Sequence, residues 1–292
     1  MTETRQAETW LLGRLLATTT DFLGQKGSST PRLDAELLLA RVLAMSKVQL
    51  YVNFEREMSP EELNQYRELV RRRAKHEPVA YILGRKEFYS LPFKTTPAAL
   101  IPRPETEHLV DAAVRLVKDA WPDGPEINIA DIGCGSGAIG LALAKTLPKA
   151  KISAVDISPE ALSLAGENAA ALGLSERVEF LAGDLLAPLA GRTFHLICAN
   201  LPYIPSAEMA GLMPDVGLHE PRLALDGGPA GLTPIEKLLQ NARPHLIDGG
   251  RILLEIWPDS LPQLEEMVQA LGFTVIDIIR DLAGFQRIVV LG

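Results

Sequence analysis

Apolar residues follow two different rhythms along the chain, and the change from one to the other falls near residue 84. From Glu8 to about Leu83 they return every three or four positions, in TWLLGRLLATTTDFL, RLDAELLLARVLAM and LNQYRELVRRRA. That spacing keeps one face of a helix apolar and predicts a small helical domain, beginning with the amphipathic stretch MTETRQAETWLLGRLL. Two start signals agree with it. Ser29-Thr30-Pro31 and Ser59-Pro60-Glu61-Glu62 each place a hydroxyl cap before a proline, and the second adds acids to the first turn.

Residues 84–104, GRKEFYSLPFKTTPAALIPRP, mix aromatic and β-branched residues with turn formers, which predicts a short hairpin or extended linker. Beyond it, strand-like runs (INIADIG, KISAVDIS, RVEFLAGD, FHLICANL, GRILLEIW) alternate with helical ones (HLVDAAVRLVKDA, AIGLALAKTL, PEALSLAGENAAAL, IEKLLQNARPHL, LPQLEEMVQAL). Such alternation implies right-handed βαβ units and an α/β fold, a doubly wound and mostly parallel sheet with helices on both faces. The last two runs, FTVIDIIRD and FQRIVVLG, are joined only by Leu282-Ala283-Gly284, so they must form an antiparallel C-terminal hairpin. The expected division is a helical domain over 1–83, a linker over 84–104 and the α/β domain over 105–292.

Composition narrows this picture without changing it. Of 292 residues 47% are hydrophobic and 23% charged, as in an ordinary globular protein. With 29 basic and 37 acidic residues the formal net charge is −8, which argues against non-specific binding along nucleic acid. Only Cys134 and Cys198 are present, with no C-x-x-C pair, so a reducing compartment and no metal site are expected. No apolar run approaches the roughly 20 residues of a membrane span, and a cytoplasmic location follows as the default.

The candidate chemistry starts with ADIGCGSGAIG, residues 130–140, which follows a strand and opens a helix. Glycines there let the backbone approach a ligand while free N–H groups of the helix start face its anionic part. Gly135, Gly137 and Gly140 spell G-x-G-x-x-G, and Asp156 follows Gly135 at the distance of a ribose-binding acid, so a nicotinamide dinucleotide is one reading. S-adenosyl-L-methionine is the other. Asp131 places an anion near a cationic amino acid, where a pyrophosphate would be repelled, and Asp184, closing the third strand, suits an adenine amino group. Tight turns of a doubly wound sheet would account for the glycine loop and Asp184 more plainly. Gly133 to Gly137, Asp156, Asp184 and Asn200 nevertheless all fall at the ends of successive strands, where ligands of open sheets bind.

The stretch CANLPYIP, residues 198–205, ends a buried strand on a neutral amide. An amide nitrogen is a poor nucleophile, because its lone pair is delocalised, and orientation must do most of the work of methylating it. Two uncharged acceptors, the side-chain carbonyl of Asn200 and the backbone carbonyl of Leu201, can each take one N–H of a primary amide. Pro202 restricts Leu201 to an extended conformation that holds its carbonyl outward, and Tyr203 can supply an apolar wall. Read without that chemistry, Asn200 is a turn residue and Tyr203 an aromatic at the sheet edge.

Several of these segments together resemble the release-factor glutamine methyltransferases, the PrmC/HemK family. The resemblance covers nearly the whole chain and rests on FYSLPFKTTPAALIPRPETE (88–107), ADIGCGSGAIGLAL (130–143), AVDISPEAL (154–162), ANLPYI (199–204), HEPRLALDGG (219–228), ILLEI (252–256) and DLAGFQRIV (281–289). It implies a class I methyltransferase, Rossmann-like, that moves a methyl group from S-adenosyl-L-methionine to the glutamine side-chain nitrogen in the Gly-Gly-Gln motif of peptide chain release factors. By similarity Gly133, Cys134, Gly135, Ser136 and Gly137 line the cofactor, Asp156 bonds the ribose, Asp184 and Leu185 border the adenine, and Asn200 to Tyr203 hold the substrate amide. The helical domain would grip the release factor. The chain departs from the family where Leu201 replaces the first proline of Asn-Pro-Pro-Tyr, where Leu185 replaces an aromatic, and where Trp257-Pro258 replaces a glycine.

Two further groups carry alternatives. Arg103, Glu105 and Glu107 either complement a helix start around Pro104 or belong to a segment that closes over cofactor and substrate, with Arg103 as a substrate contact. Arg71, Arg72, Arg73, Lys75 and His76 are either a solvated helix end or a patch for an acidic or RNA-bearing partner. Rival functions are an amino-group methyltransferase acting on adenine in nucleic acid, a nicotinamide oxidoreductase, and a non-catalytic scaffold. A monomer is expected, with no direct nucleic-acid partner.

Overall fold

The computed structural model describes residues 9–122 and 126–292, and the expected helix start at Glu8 lies outside them. It divides into two compact units, Met1–Gly84 with Pro214–His219, and Arg85–Met213 with Glu220–Gly292. The hairpin segment expected as a linker is thus grouped with the second unit, and six residues from far downstream with the first.

The helical unit contains α1 (Leu12–Gln25), α2 (Pro31–Leu43), α3 (Lys47–Val52), α4 (Pro60–Arg73) and α5 (Val79–Leu83). Leu12, Leu16 and Leu23 of α1, Leu38 and Leu39 of α2 and Tyr66 of α4 close its core, the residues that the three-and-four spacing puts on one face. Ser59 caps α4 through a reciprocal box: Glu62 N donates to Ser59 Oγ at 3.2 Å and Ser59 N to Glu62 Oε2 at 2.9 Å. Thr30 does not cap α2 with its side chain, because its hydroxyl donates to Asp34 Oδ1 at 2.9 Å. Asp34 also receives Ser28 Oγ at 2.7 Å and the buried Arg73 Nε at 2.6 Å. The basic run at the end of α4 is therefore divided: Arg71 pairs with Glu68 on the surface, Arg72 with Glu77, and Arg73 is buried.

The second unit opens with the hairpin β1 (Arg85–Phe88) and β2 (Leu91–Lys94), whose turn residues Tyr89 and Ser90 have φ of 51° and 58°. There follow α6 (Glu107–Ala120), β3 (Ile127–Ile132), α7 (Ala138–Thr146), β4 (Ala150–Asp156), α8 (Pro159–Leu172), β5 (Val178–Ala182) and β6 (Phe194–Ala199). The short α9 (Pro214–Gly217) lies in the helical unit. Then come α10 (Thr233–Ala242), β7 (Leu246–Glu255), α11 (Leu261–Ala270), β8 (Val275–Arg280) and β9 (Gln286–Leu291).

The seven-stranded sheet has the order β5-β4-β3-β6-β7-β9-β8. Its first five strands are parallel, and β9 runs antiparallel to both β7 and β8, as the short turn between the last two runs requires. Alternate residues of one strand serve opposite faces: Ile127 and Ile129 of β3 join the core under α6 and α7, Ala130 and Ile132 the core under α10 and α11. Chain order reverses between β3 and β6, which makes their junction the switch point where ligands of such sheets bind.

Candidate active site

At that junction the glycine loop leaves β3. Gly133, Gly135 and Gly137 have φ of 71°, 55° and 81°, a region that side-chain-bearing residues disfavour. The loop is fastened to the end of β4: Gly133 N and Cys134 N donate to the Val155 carbonyl at 2.8 and 3.0 Å, and Gly135 N to Asp156 Oδ2 at 2.8 Å. Asp156 Oδ1 takes Ser158 N at 2.9 Å, so one carboxylate fixes both the loop and the entry to α8. Gly140 is a packing residue, since a Cβ there would stand 2.9 Å from Asp131 Oδ2 and 3.0 Å from Ile152.

Asp131 lies fully buried at the base of the loop and accepts Gly140 N through Oδ2 at 2.8 Å, while Oδ1 has no partner. Burial pushes its carboxyl up to about 7, against the Gly140 N–H, with the charge of Asp156 adding to the rise. Burial likewise pushes the Cys134 and Cys198 thiols up, which leaves neither as a nucleophile at neutral pH. Among the described residues no cluster of three or more His, Cys, Asp or Glu is placed to hold a metal ion.

Above the loop lies a cavity of about 290 Å³. It gathers Gly133 to Ser136 from the end of β3, Asp156 from β4, Asp184 and Leu185 from the end of β5, and Asn200, Leu201 and Pro202 from the end of β6. Arg103 also reaches it, with its guanidinium on the buried carboxylate of Glu220, which accepts Ile101 N at 3.2 Å. Asp131, Gly137 and Tyr203, expected with these residues, are not part of the lining. Gly137 instead caps α7.

Asn200 follows β6 immediately, and the register pairs Ala199 with Ile132, so the amide and the glycine loop issue from adjacent rungs. Asn200 Nδ2 donates to Thr106 Oγ1 at 3.1 Å. Among the described residues no donor reaches Asn200 Oδ1 or the Leu201 carbonyl. The Leu201 side chain is buried against the loop, where a Cβ on Gly133 would meet it at 2.9 Å. Leucine at this position thus fills space on the loop side and leaves the backbone carbonyl available. The Tyr203 phenol donates to Glu255 Oε1 at 3.0 Å and its ring lies 6.3 Å from that of Trp257. Burial, the Glu255 charge and the hydrogen bond to it raise the phenol pKa, and burial raises that of the Glu255 carboxyl. The motif is then tied to the segment 225–231. Ile204 N donates to Leu225 O at 3.0 Å and Gly227 N to Ile204 O at 2.8 Å, while a Cβ on Gly231 would stand 2.3 Å from the Tyr203 carbonyl.

Thr106, Glu220 and Glu255 escaped the sequence reading as site residues. A glutamate closing an otherwise apolar strand run, as Glu255 does, was the available signal, because burying a carboxylate demands partners.

The cavity fits S-adenosylmethionine: the loop backbone is open to close approach, and two carboxylates, Asp156 and Asp184, stand at its far strand ends. Residues 14–84 match the PrmC N-terminal domain and residues 106–212 the methyltransferase small domain. A methyltransferase from Pyrococcus furiosus has the same fold, with a TM-score of 0.50 and 20% identity over 78% of this chain and 97% of that one. The protein is a class I, S-adenosylmethionine-dependent methyltransferase. It is 43% identical over 290 residues to the release factor glutamine methyltransferase of Rhodopirellula baltica (99% of this chain, 98% of that one). It is 41% identical over 286 residues to that of Geobacter sulfurreducens (98% of each). The chain belongs to the release factor glutamine methyltransferase family.

Proposed function

We propose that the chain methylates the side-chain amide nitrogen of the glutamine in the Gly-Gly-Gln motif of peptide chain release factors. The observation that carries the assignment to these residues is the pair of uncommitted acceptors, Asn200 Oδ1 and the Leu201 carbonyl, at the strand end beside the glycine loop. Each takes one N–H of the primary amide, which turns the face of the nitrogen toward the cavity. S-adenosylmethionine, when bound, supplies an electrophilic methyl group on a sulfonium. Gly133 to Ser136 would lie along it, Asp156 would accept from the ribose hydroxyls, and Asp184 with Leu185 would border the adenine.

Arg103 is held by Glu220 at the cavity wall and presents its remaining donors to the substrate backbone. Tyr203 supports the motif from behind through Glu255 and Trp257 instead of walling the substrate. The helical unit is the proposed grip on the release factor, in the cytoplasm.

Mass spectrometry of a purified release factor after incubation with enzyme and cofactor should find one added methyl on that glutamine. Asn200→Ala should lower turnover by at least about 100-fold with cofactor affinity retained. Asp156→Ala should weaken cofactor binding at least about tenfold, roughly 1.4 kcal/mol. Near-normal turnover of Asn200→Ala, or an unmodified glutamine with the wild-type enzyme, would reject the assignment.

A further inference from the structure

Helix α8 turns a stripe of small and apolar residues inward, Ala161, Leu164, Ala165 and Ala169, and the same stripe carries Asn168. Asparagine is a poor helix former, and a buried amide is costly unless its polar atoms are bonded. Its presence on this face raises the question of which groups it serves.

The Asn168 side chain bonds backbone on two separate parts of the cavity wall. Lys94 N donates to Oδ1 at 2.7 Å, while Nδ2 donates to the Ser136 carbonyl at 3.0 Å and to the Lys94 carbonyl at 3.3 Å. A backbone N–H can only donate and a carbonyl can only accept, so the amide has one orientation and both of its protons are used. Ser136 belongs to the glycine loop. Lys94 ends β2, from which the chain runs on into residues 98–103, and these line the cavity together with the loop. The same stripe of α8 supports both parts: Ala99 packs with Ala161 and Leu164, and a Cβ on Gly137 would stand 3.2 Å from the Cβ of Ala165. Loop and segment are themselves neighbours, since a Cβ on Gly135 would lie 3.8 Å from that of Ala99. Their separation is therefore set from α8, and Asn168 is the polar group that ties both to it.

We propose that Asn168 is a positioning residue that sets the gap between the glycine loop and the segment after β2, and through that gap the affinity for S-adenosylmethionine. The inference rests on the cofactor role proposed for Gly133 to Ser136 and deepens it. Without the amide the loop keeps its ties to Val155 and Asp156 of β4 but loses its polar tie to α8. Cofactor binding must then order the loop, which costs affinity. Once the cofactor is bound, the acceptors at Asn200 and Leu201 stand where β6 puts them, so the chemical step is little changed.

The test is S-adenosylmethionine binding by calorimetry, well below the melting transition, with steady-state kinetics on a release factor alongside. Asn168→Leu keeps the size and removes the three bonds, and should raise the cofactor Kd about tenfold. At saturating cofactor its kcat, and its KM for the release factor, should stay within about threefold of wild type. Asn168→Asp keeps the acceptor for Lys94 N but sets a second acceptor against two carbonyls, so it should bind no better than the leucine variant. In the protein without cofactor, hydrogen exchange over residues 94–103 and 133–137 should quicken in both variants, with the helical unit unchanged. A lower melting point at unchanged Kd would make Asn168 a packing residue alone and overturn the proposal, as would a loss of kcat that saturating cofactor does not restore. Should Asn168→Leu fail to fold, Asn168→Ala, which leaves room for water, decides by the same measurements. Asp156→Ala run in parallel separates the two claims: if it too binds cofactor normally, the reading of the loop fails, whereas if it binds weakly and Asn168→Leu normally, only the positioning role fails.

Discussion

Burying Asp131 costs folding free energy. Its carboxyl is wholly enclosed, with one oxygen on a backbone N–H and the other without a partner, and it takes up a proton at about 7 where an ordinary aspartate does so at 3.8. The folded chain then binds more protons than the unfolded one between those values, so Asp131 makes the fold progressively less stable as pH rises from about 4 to 7, with no further loss above. Asp131→Asn removes this dependence. Thermal melts of the free protein should show the variant gaining on wild type from pH 4 to pH 8, and a constant difference across that range would contradict the burial argument. At this scale the sequence was partly legible. Asp156, Asp184, Asn200 and Leu201 stand where strand ends placed them, because a strand end fixes a position in space. The partner of Tyr203 was not legible, since nothing local says that its phenol would reach a carboxylate 52 residues later on another strand.

Among the elements, α4 shows how much a local signal can settle. Ser59, Pro60 and Glu62 specify its first turn with two reciprocal hydrogen bonds, all within four residues. Ser59→Ala should cost about 1 kcal/mol, seen as a lower denaturant midpoint at unchanged slope; no change would mean that water replaces the cap without loss. Elements with such local logic, the long helices and the five parallel strands, could be read from periodicity. The short α3 and α5 could not, because five or six residues do not complete a recognisable period. The C-terminal hairpin was legible for a different reason: three residues cannot cross a sheet, and Asp281 Oδ1 closes the turn by accepting Ala283 N and Phe285 N at 2.9 Å each.

For the molecule as a whole, the sequence gives the parallel sheet and the helical unit but not the excursion of Pro214–His219 into the latter. That placement depends on a contact across 142 positions, Arg73 Nη2 to Asp215 Oδ2 at 3.4 Å, and on His219 Nε2 lying 3.2 Å from the Lys75 carbonyl. No period or motif encodes it. The β3–β6 junction is of the opposite kind, a consequence of topology, and it bears on how the enzyme should fail. Since Ile132 and Ala199 are partners in one hydrogen-bonded ladder, the spacing between the glycine loop and Asn200, the proposed cofactor cradle and acceptor clasp, is set by the sheet itself. Heating should therefore extinguish single-turnover methylation with cofactor pre-bound at the same midpoint as the loss of sheet signal by circular dichroism. A protein whose machinery is also its spine has no temperature at which it stays folded and stops working.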